Sequence, residues 1–286
     1  MRDFFFHTPT TLQEAFALLE EHGENARPIA GGTALIVLMK QSLVGADHLV
    51  SLHRVPGLSG IRAEADGLHI GALTRHREVE TSSLVKQRWP LLADVYRHVG
   101  TVRIRNVATV GGGLAHADPA QDPPPGLIVL DARVKLTSRT GERVIPITDL
   151  FTDYYETSMR PGELLTEVIV PPVPAGARSV YLKFLPRTAD DYATVAVAAL
   201  AEVQDGTCSR LKVALGAAGP TPVHATAVEQ ALSGQSISAE SVRRAAEAVA
   251  GQVDPLDDFR GSSGYKRDMA VVFTRRAVER VLGLAS

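Results

Sequence analysis

The stretch AGGTAL at residues 30–35 decides how this chain is interpreted, together with a second glycine-rich stretch, TVGGG, at residues 109–113. Glycine has no Cβ, so the main chain can adopt positive φ angles and turn its N–H groups toward an anion. Neither stretch has the spacing of the G-x-G-x-x-G dinucleotide motif or of the G-x-x-x-x-G-K-[ST] phosphate loop. Together they predict a site of another architecture for a phosphate-bearing cofactor.

The surroundings of both stretches support this prediction. Residues 27–30 are predicted to form a short strand, and residues 35–43 are apolar at helical spacing, so the first stretch lies between a strand and a helix N-terminus. Thr33 and Thr109 place a hydroxyl in each stretch, and a hydroxyl can donate to a phosphate oxygen. Asp122 follows the second stretch and could accept a hydrogen bond from a sugar or ribityl hydroxyl, or it could be a solvated loop carboxylate.

The composition is that of an ordinary globular protein. The chain has 286 residues, 45% hydrophobic and 22% charged, with a net charge of −2, so it shows no basic balance that would indicate binding to nucleic acid. No apolar run reaches the roughly 20 residues that cross a bilayer, and the first residues lack a signal-like apolar segment. We therefore expect a cytoplasmic protein that is not an integral membrane protein.

Few residues have the spacing of a catalytic or metal site. The single cysteine, Cys208, excludes an intrachain disulfide and an iron–sulfur cluster held by this chain alone. Nine histidines are scattered without an H-E-x-x-H motif, and His76 and Glu78 form an H-x-E that lacks the cysteines of a zinc deaminase. His116 with Asp118 is the one histidine pair beside a glycine stretch. We predict no metal site and no catalytic side chain.

The proline-rich segment PPVPAG at residues 171–176 predicts a domain boundary. Before it, the pattern indicates mixed helices and strands, including an expected strand at residues 127–130 after the proline run at 123–125. After it, strand-like stretches at 179–185, 195–204 and 210–217 precede helices at 225–232, 238–250 and 266–282.

Several motifs together resemble one family in the same order along nearly the whole chain. They are AGGT at 30–33, IGALT at 70–74, RNVATVGGG at 105–113 and HADP at 116–119, with further similarity at 154–165 and 183–193. This combination resembles the FAD-binding, or medium, subunit of molybdenum hydroxylases of the carbon monoxide dehydrogenase, xanthine dehydrogenase and nicotine dehydrogenase type.

The resemblance implies an α+β fold. Residues 1–174 are expected to form an FAD-binding domain of the vanillyl-alcohol-oxidase (PCMH) type, with subdomains at about 1–56 and 57–174. Residues 177–286 are expected to form a smaller α+β domain of the family's C-terminal type, with a three-stranded antiparallel sheet and helices.

The resemblance also implies the residues that bind FAD. The first stretch would wrap the diphosphate, the second would lie on its other side, Asp122 would contact FAD, and Lys183 would lie on the flavin side. Val99 stands where some members have an aromatic residue, and Gly113 stands where many have Asn or Ser. The expected cofactor-binding residues are Ile29, Ala30, Gly31, Gly32, Thr33, Ala34, Leu35, Val99, Thr109, Gly111, Gly112, Gly113, Asp122, Leu165 (or Leu164) and Lys183.

The implied function is that of an electron-transfer flavoprotein subunit. A large partner would hold a molybdenum cofactor, a small partner would hold [2Fe–2S] clusters, and FAD on this chain would pass electrons to an external acceptor, the whole assembling as a dimer of heterotrimers. Because flavin carries the redox chemistry, the lack of a catalytic acid–base set fits this function. The alternatives are a self-contained FAD-dependent oxidase or reductase, with His116 as the only candidate base, and a non-catalytic flavin-binding module.

Overall fold

The computed structural model describes residues 3–186 and 192–284. The elements of the first subdomain are β1 (Phe5–His7), α1 (Leu12–His22), β2 (Ala26–Ile29), α2 (Leu35–Lys40) and β3 (His48–Ser51). The three strands form a parallel sheet in the order β1-β3-β2. Helix α1 covers one face of this sheet, because its buried Ala15 and Phe16 share a small core with Val50 of the central strand.

The second subdomain is built on a five-stranded antiparallel sheet. Its elements are β4 (Ile61–Glu64), β5 (Gly67–Gly71), α3 (His76–Thr81), α4 (Ser83–Arg88), α5 (Pro90–Arg97), α6 (Val102–Arg105), α7 (Val110–His116), α8 (Pro123–Val129), β6 (Arg133–Ser138), β7 (Gly141–Pro146), β8 (Phe151–Asp153), β9 (Glu156–Thr157) and β10 (Leu164–Val170). The sheet order is β4-β5-β10-β6-β7, and β8 with β9 forms a separate short hairpin. Trp89, Leu92 and Tyr96 from the helical layer join the core of this subdomain.

The prediction of a strand at residues 127–130 is wrong, since these residues belong to helix α8 and the turn that follows it. Proline is tolerated in the first turn of a helix, where its missing N–H would have no partner, so the prolines at 123–125 begin the helix. An apolar run of only four residues has no period that separates a strand from a buried helix. Every residue of α8 is buried.

The C-terminal domain has an antiparallel sheet covered by helices. Its elements are β11 (Arg178–Phe184), β12 (Val195–Gln204), β13 (Thr207–Gly216), β14 (Val223–His224), α9 (Thr226–Leu232), α10 (Ala239–Glu247) and α11 (Ser263–Leu282). The order β11-β12-β13-β14 contains the three long strands expected, and the two-residue β14 adds a fourth at the edge. The predicted α+β class is confirmed.

Strand β12 joins the C-terminal domain to the rest of the chain. Its residues Val195, Val197 and Ala199 lie in the core under the C-terminal helices. The alternate residues, Ala196, Ala198 and Leu200, lie in the core of the second subdomain, where β12 and β13 meet α8. A strand with both faces buried needs apolar residues throughout, which explains the run VAVAALA at residues 195–201.

Among residues 3–186 and 192–284, no helix has both the length and the apolar character needed to cross a membrane.

Candidate cofactor-binding site

The first glycine stretch forms the turn between β2 and α2. Gly32 has a φ of +70°, a conformation that side chains with a Cβ rarely adopt. Residues 30–36 are all half-buried. Within the described part of the chain, the N–H groups of residues 31–35 donate no hydrogen bond. Consecutive N–H groups that have no acceptor among the described residues are available to bind an anion.

The second glycine stretch forms the start of helix α7. Thr109 caps this helix, and its Oγ1 accepts a hydrogen bond from the N–H of Gly112 at 3.3 Å. The N–H of Gly111 donates to the carbonyl of Ala72 at 2.8 Å, and that of Val110 donates to Thr74 at 2.9 Å. The structure therefore differs from the expectation that both stretches offer free N–H groups, since those at 110–112 already have acceptors.

Gly111 is needed for close packing. A Cβ on this residue would lie 2.5 Å from the Cβ of Ala72, so α7 could not approach the end of β5. Ala72 in turn donates its N–H to the carbonyl of Thr166 at 2.9 Å. Helix α7, which begins with the second glycine stretch, therefore packs against β10, and Leu164 and Leu165 of β10 are buried.

The two glycine stretches contact each other. A Cβ on Gly31 would overlap the carbonyl oxygen of Val107, so only glycine allows this approach. A Cβ on Gly112 would lie 3.5 Å from the Cβ of Ala30 and 2.6 Å from Oγ1 of Thr109. Gly112 itself is exposed. The two segments are far apart in sequence but lie against each other; we call residues 30–35 the first wall and residues 109–113 the second wall.

His76 forms a hydrogen bond to the backbone of the second wall. It is buried, and its Nε2 lies 3.1 Å from the carbonyl oxygen of Thr109, which implies an N–H on that nitrogen. Burial lowers the pKa of His76 to about 4, so the ring is neutral near pH 7. Neither Nδ1 of His76 nor the hydroxyl of Tyr96 has a hydrogen-bond partner among the described residues. The neutral ring therefore holds the helix cap without adding charge.

Asp122 and Lys183 form a buried ion pair. Nζ of Lys183 lies 3.0 Å from Oδ2 of Asp122 and 2.9 Å from the carbonyl oxygen of His98. The hydroxyl of Tyr181 donates to Oδ1 of Asp122 at 2.6 Å. Burial raises the pKa of Asp122, while Lys183 and Tyr181 counteract the rise. Both side chains are at most 4% exposed, and their charged groups contact each other rather than solvent. The residue before Asp122, Gln121, has its side chain next to Gly113 of the second wall.

Three apolar side chains that no sequence motif marks as functional lie exposed beside the first wall. Val102, Ile104 and Val107 are 44%, 40% and 49% exposed, and the carbonyl of Val107 is the group that Gly31 approaches. Val99 is partly buried and precedes this segment, and its carbonyl accepts a hydrogen bond from Arg105 at 2.9 Å. The pattern that could have revealed the patch is the spacing of valine and isoleucine among polar residues in TVRIRNV at 101–107.

His116 has no geometry for acid–base catalysis. Its ring packs against Tyr155, with the ring centres 5.2 Å apart, and burial lowers its pKa. Its ring makes no hydrogen bond to any residue of 3–186 or 192–284. The candidate base of a self-contained oxidase thus lacks an orienting partner in this region of the chain.

The fold and the two glycine walls define a two-domain α+β protein with a candidate cofactor-binding site in its N-terminal part. The family model described as "FAD binding domain in molybdopterin dehydrogenase" matches residues 2–173, and "CO dehydrogenase flavoprotein C-terminal domain" matches residues 180–281. The chain belongs to the family of FAD-binding medium subunits of molybdenum hydroxylases, which are oxidoreductases, and its cofactor is FAD.

Curated relatives match this chain over almost their full length. The glyceraldehyde dehydrogenase medium chain of Sulfolobus acidocaldarius is 34% identical and covers 98% of both chains. The carbon monoxide dehydrogenase medium chain of Hydrogenophaga pseudoflava is 33% identical over 96% of each chain. The xanthine dehydrogenase FAD-binding subunit of Escherichia coli O157:H7 is 27% identical over 98% of this chain and 96% of its own.

Solved structures agree with this assignment. A structure of carbon monoxide dehydrogenase from Hydrogenophaga pseudoflava superposes with a TM-score of 0.96 at 34% identity, covering 100% of this chain and 99% of the other. Quinoline 2-oxidoreductase from Pseudomonas putida 86 superposes with a TM-score of 0.93 at 32% identity, over 99% and 98% of the two chains.

Proposed function

We propose that this chain accepts electrons from the [2Fe–2S] clusters of a small partner subunit and passes them, through its FAD, to an external acceptor. A large partner subunit with a molybdenum cofactor would oxidise the substrate. The observation that carries the proposal is the run of five N–H groups at residues 31–35 that donate to no residue of 3–186 or 192–284, next to the second glycine wall. The relatives are medium chains of dehydrogenases, and this supports the proposed partners.

We infer the following division of work between the two walls. The N–H groups of residues 31–35 bind the FAD diphosphate, helped by the partial positive charge at the start of α2. The wall at 109–113 leaves space for the cofactor because Gly112 presents no side chain. The proposed cofactor-binding residues are Ile29, Ala30, Gly31, Gly32, Thr33, Ala34, Leu35, Val99, Thr109, Gly111, Gly112, Gly113, Asp122, Leu165 and Lys183.

The buried pair refines this proposal. Asp122 and Lys183 use their polar atoms on each other and on Tyr181 and His98, so we propose that they shape the FAD site mainly by fixing the C-terminal domain beside it. Direct contact of either side chain with FAD stays a prediction.

FAD supplies two-electron redox chemistry when it is bound to such a domain. The chain itself contributes binding and orientation. Its single cysteine, Cys208, is buried, and one thiolate cannot hold an iron–sulfur cluster, which usually needs four. We therefore propose that the electron relay to this site lies in the partner chains, with residues 1–174 as the FAD domain and 177–286 as the C-terminal domain. A dimer of heterotrimers in the cytoplasm is the assembly that we propose.

Purification of the chain with its co-expressed partners tests the proposal. We expect a complex that contains FAD and in which the chemically reduced [2Fe–2S] subunit reduces the FAD of this chain. A flavoprotein that always purifies alone and oxidises a substrate unaided would contradict the subunit function, and a chain without any FAD would contradict the site as well.

A variant of the second wall tests the site itself. We expect Gly112→Val to abolish FAD retention, because its side chain would displace the Thr109 cap and fill the exposed surface next to Ala30. Gly45→Val is the matched control, since a Cβ there has no neighbour within 4 Å. Normal FAD content in Gly112→Val would refute the assignment.

A further inference from the structure

Three histidines meet in the first subdomain, away from the two glycine walls. His7 is the last residue of β1, His22 is the last residue of α1, and His48 is the first residue of β3. One ring nitrogen from each lies within 4.8 Å of the corresponding nitrogens of the other two. All three side chains are half-buried. The residues lie 15 and 26 positions apart, so no short motif in the sequence announces this cluster.

The strand register explains why these histidines meet. Strands β1 and β3 are parallel, with Phe5 opposite His48 and His7 opposite Val50. Because side chains alternate between the two faces of a sheet, His7 and His48 lie on the same face as Val50. Helix α1 packs on that face through Phe16, and its last residue brings His22 to the edge of the same core.

The distances match those needed for a shared metal ion. Nε2 of His7 lies 3.0 Å from Nδ1 of His48, and two nitrogens bound to one zinc ion at about 2.0–2.1 Å are separated by about 3.3 Å in a tetrahedron. Two neutral histidines can approach so closely only when one nitrogen carries the proton, and a metal ion can replace that proton.

The ring of His22 must turn to complete the site. It stacks on His48, with the ring centres 3.6 Å apart and the planes 9° from parallel, whereas a bound metal lies in the plane of each imidazole. Across the described ranges, no residue hydrogen-bonds to the ring of His22, so rotation breaks no hydrogen bond. The site therefore needs only a side-chain movement.

Groups of negative charge lie near the cluster. Burial and the neighbouring His22 and His7 lower the pKa of His48, and the carboxylates of Asp47 and Glu21 counteract this effect. The C-terminal end of α1 adds a partial negative charge beside His22.

We propose that His7, His22 and His48 bind a divalent transition metal of the borderline class, for which zinc is the representative. Three imidazoles occupy three positions of a tetrahedron, and the fourth is left to water or to an added ligand. The bound ion ties the first strand and the end of α1 to the central strand of the first subdomain. This site is independent of the proposed electron-transfer function.

Titration of the full chain with Zn²⁺ tests this proposal, using protein purified without a histidine tag and stripped of metal with a chelator. We expect one equivalent to bind and to raise the unfolding temperature. In His22→Gln we expect the affinity to fall by about tenfold or more, because one ligand is lost. His53→Gln is the matched control, since His53 is an exposed histidine outside the cluster, and we expect it to bind Zn²⁺ unchanged.

The outcomes are distinguishable even if one variant fails to fold. His48→Gln removes a residue on the central strand, whereas His22→Gln changes only the end of a helix, so the second variant is the decisive one. The Co²⁺-substituted chain supplies a second readout, because visible absorption bands report a tetrahedral site. Absence of saturable Zn²⁺ binding, or equal affinity in wild type and His22→Gln, would overturn the proposal.

Discussion

Lys183 of strand β11 donates a hydrogen bond to Asp122 at the start of helix α8, with Nζ 3.0 Å from Oδ2. The pair joins the C-terminal domain to the FAD domain, and Tyr181 and the carbonyl of His98 complete its hydrogen bonds. Because both charges are buried, removing one of them leaves the other without compensation. The arrangement makes the junction between the domains depend on this pair.

We expect Asp122→Ala to lower the free energy of unfolding by about 3–5 kcal/mol, since it leaves the Lys183 ammonium buried and unpaired. Urea denaturation of the purified chain measures this loss. Asp94→Ala is the control, because Asp94 pairs with the exposed Arg97 and should contribute less than about 1 kcal/mol. Unchanged stability combined with loss of FAD would instead show that Asp122 acts by direct contact with the cofactor.

We expect Gly31→Ala to reduce FAD affinity by about tenfold or more, which is about 1.4 kcal/mol. The new Cβ would overlap the carbonyl of Val107 and push the two walls of the site apart. FAD content after dialysis and fluorescence titration measure the effect. Gly45→Ala adds the same atom at an open position and should retain FAD normally. Equal retention in both variants would show that the approach of the walls is unimportant.

Thr109 and Thr101 offer a matched comparison of two helix caps. Each threonine accepts a hydrogen bond at 3.3 Å from an N–H in the first turn of its helix, Gly112 in α7 and Ile104 in α6. We expect either alanine variant to cost about 1 kcal/mol of stability. Only Thr109→Ala should also weaken FAD binding, because its helix forms a wall of the site. Equal FAD affinities in the two variants would contradict this role.

His76 makes the stability of the protein depend on pH. Burial lowers its pKa to about 4, whereas an unfolded histidine has a pKa near 6.5. Between these values the unfolded chain binds a proton that the folded chain does not, so stability falls as the pH falls from about 6.5 to 4. The full contribution is about 3 kcal/mol.

We expect the free energy of unfolding of His76→Gln to depend less on pH, by up to about one bound proton, because glutamine does not titrate. Urea denaturation at pH 7 and at pH 5 measures this difference. His53→Gln, at an exposed position, should leave the slope unchanged. A slope that is the same in wild type and His76→Gln would show that the folded ring retains an ordinary pKa.

Much of the fold followed from local patterns. The strands at 195–204 and 210–217 were predictable because long apolar runs with β-branched residues favour strands, and the C-terminal helices had clear periodicity. Helix α8 was not predictable, since its prolines suggest a turn and the four apolar residues at 127–130 are too few to show a helical period. The glycine stretches predicted a cofactor-binding protein, yet their sequence did not show that the N–H groups of residues 110–113 already have acceptors within the chain.

The sequence by itself determined the family, the α+β class and the two glycine stretches, because each depends on residue types and their order along the chain. Only the tertiary structure decided which distant residues meet: Gly31 with Val107, Asp122 with Lys183, and His7 with His22 and His48. The physical reason is that strand register and helix packing fix these contacts. Both arise from burial of the whole core, which no short window of sequence contains.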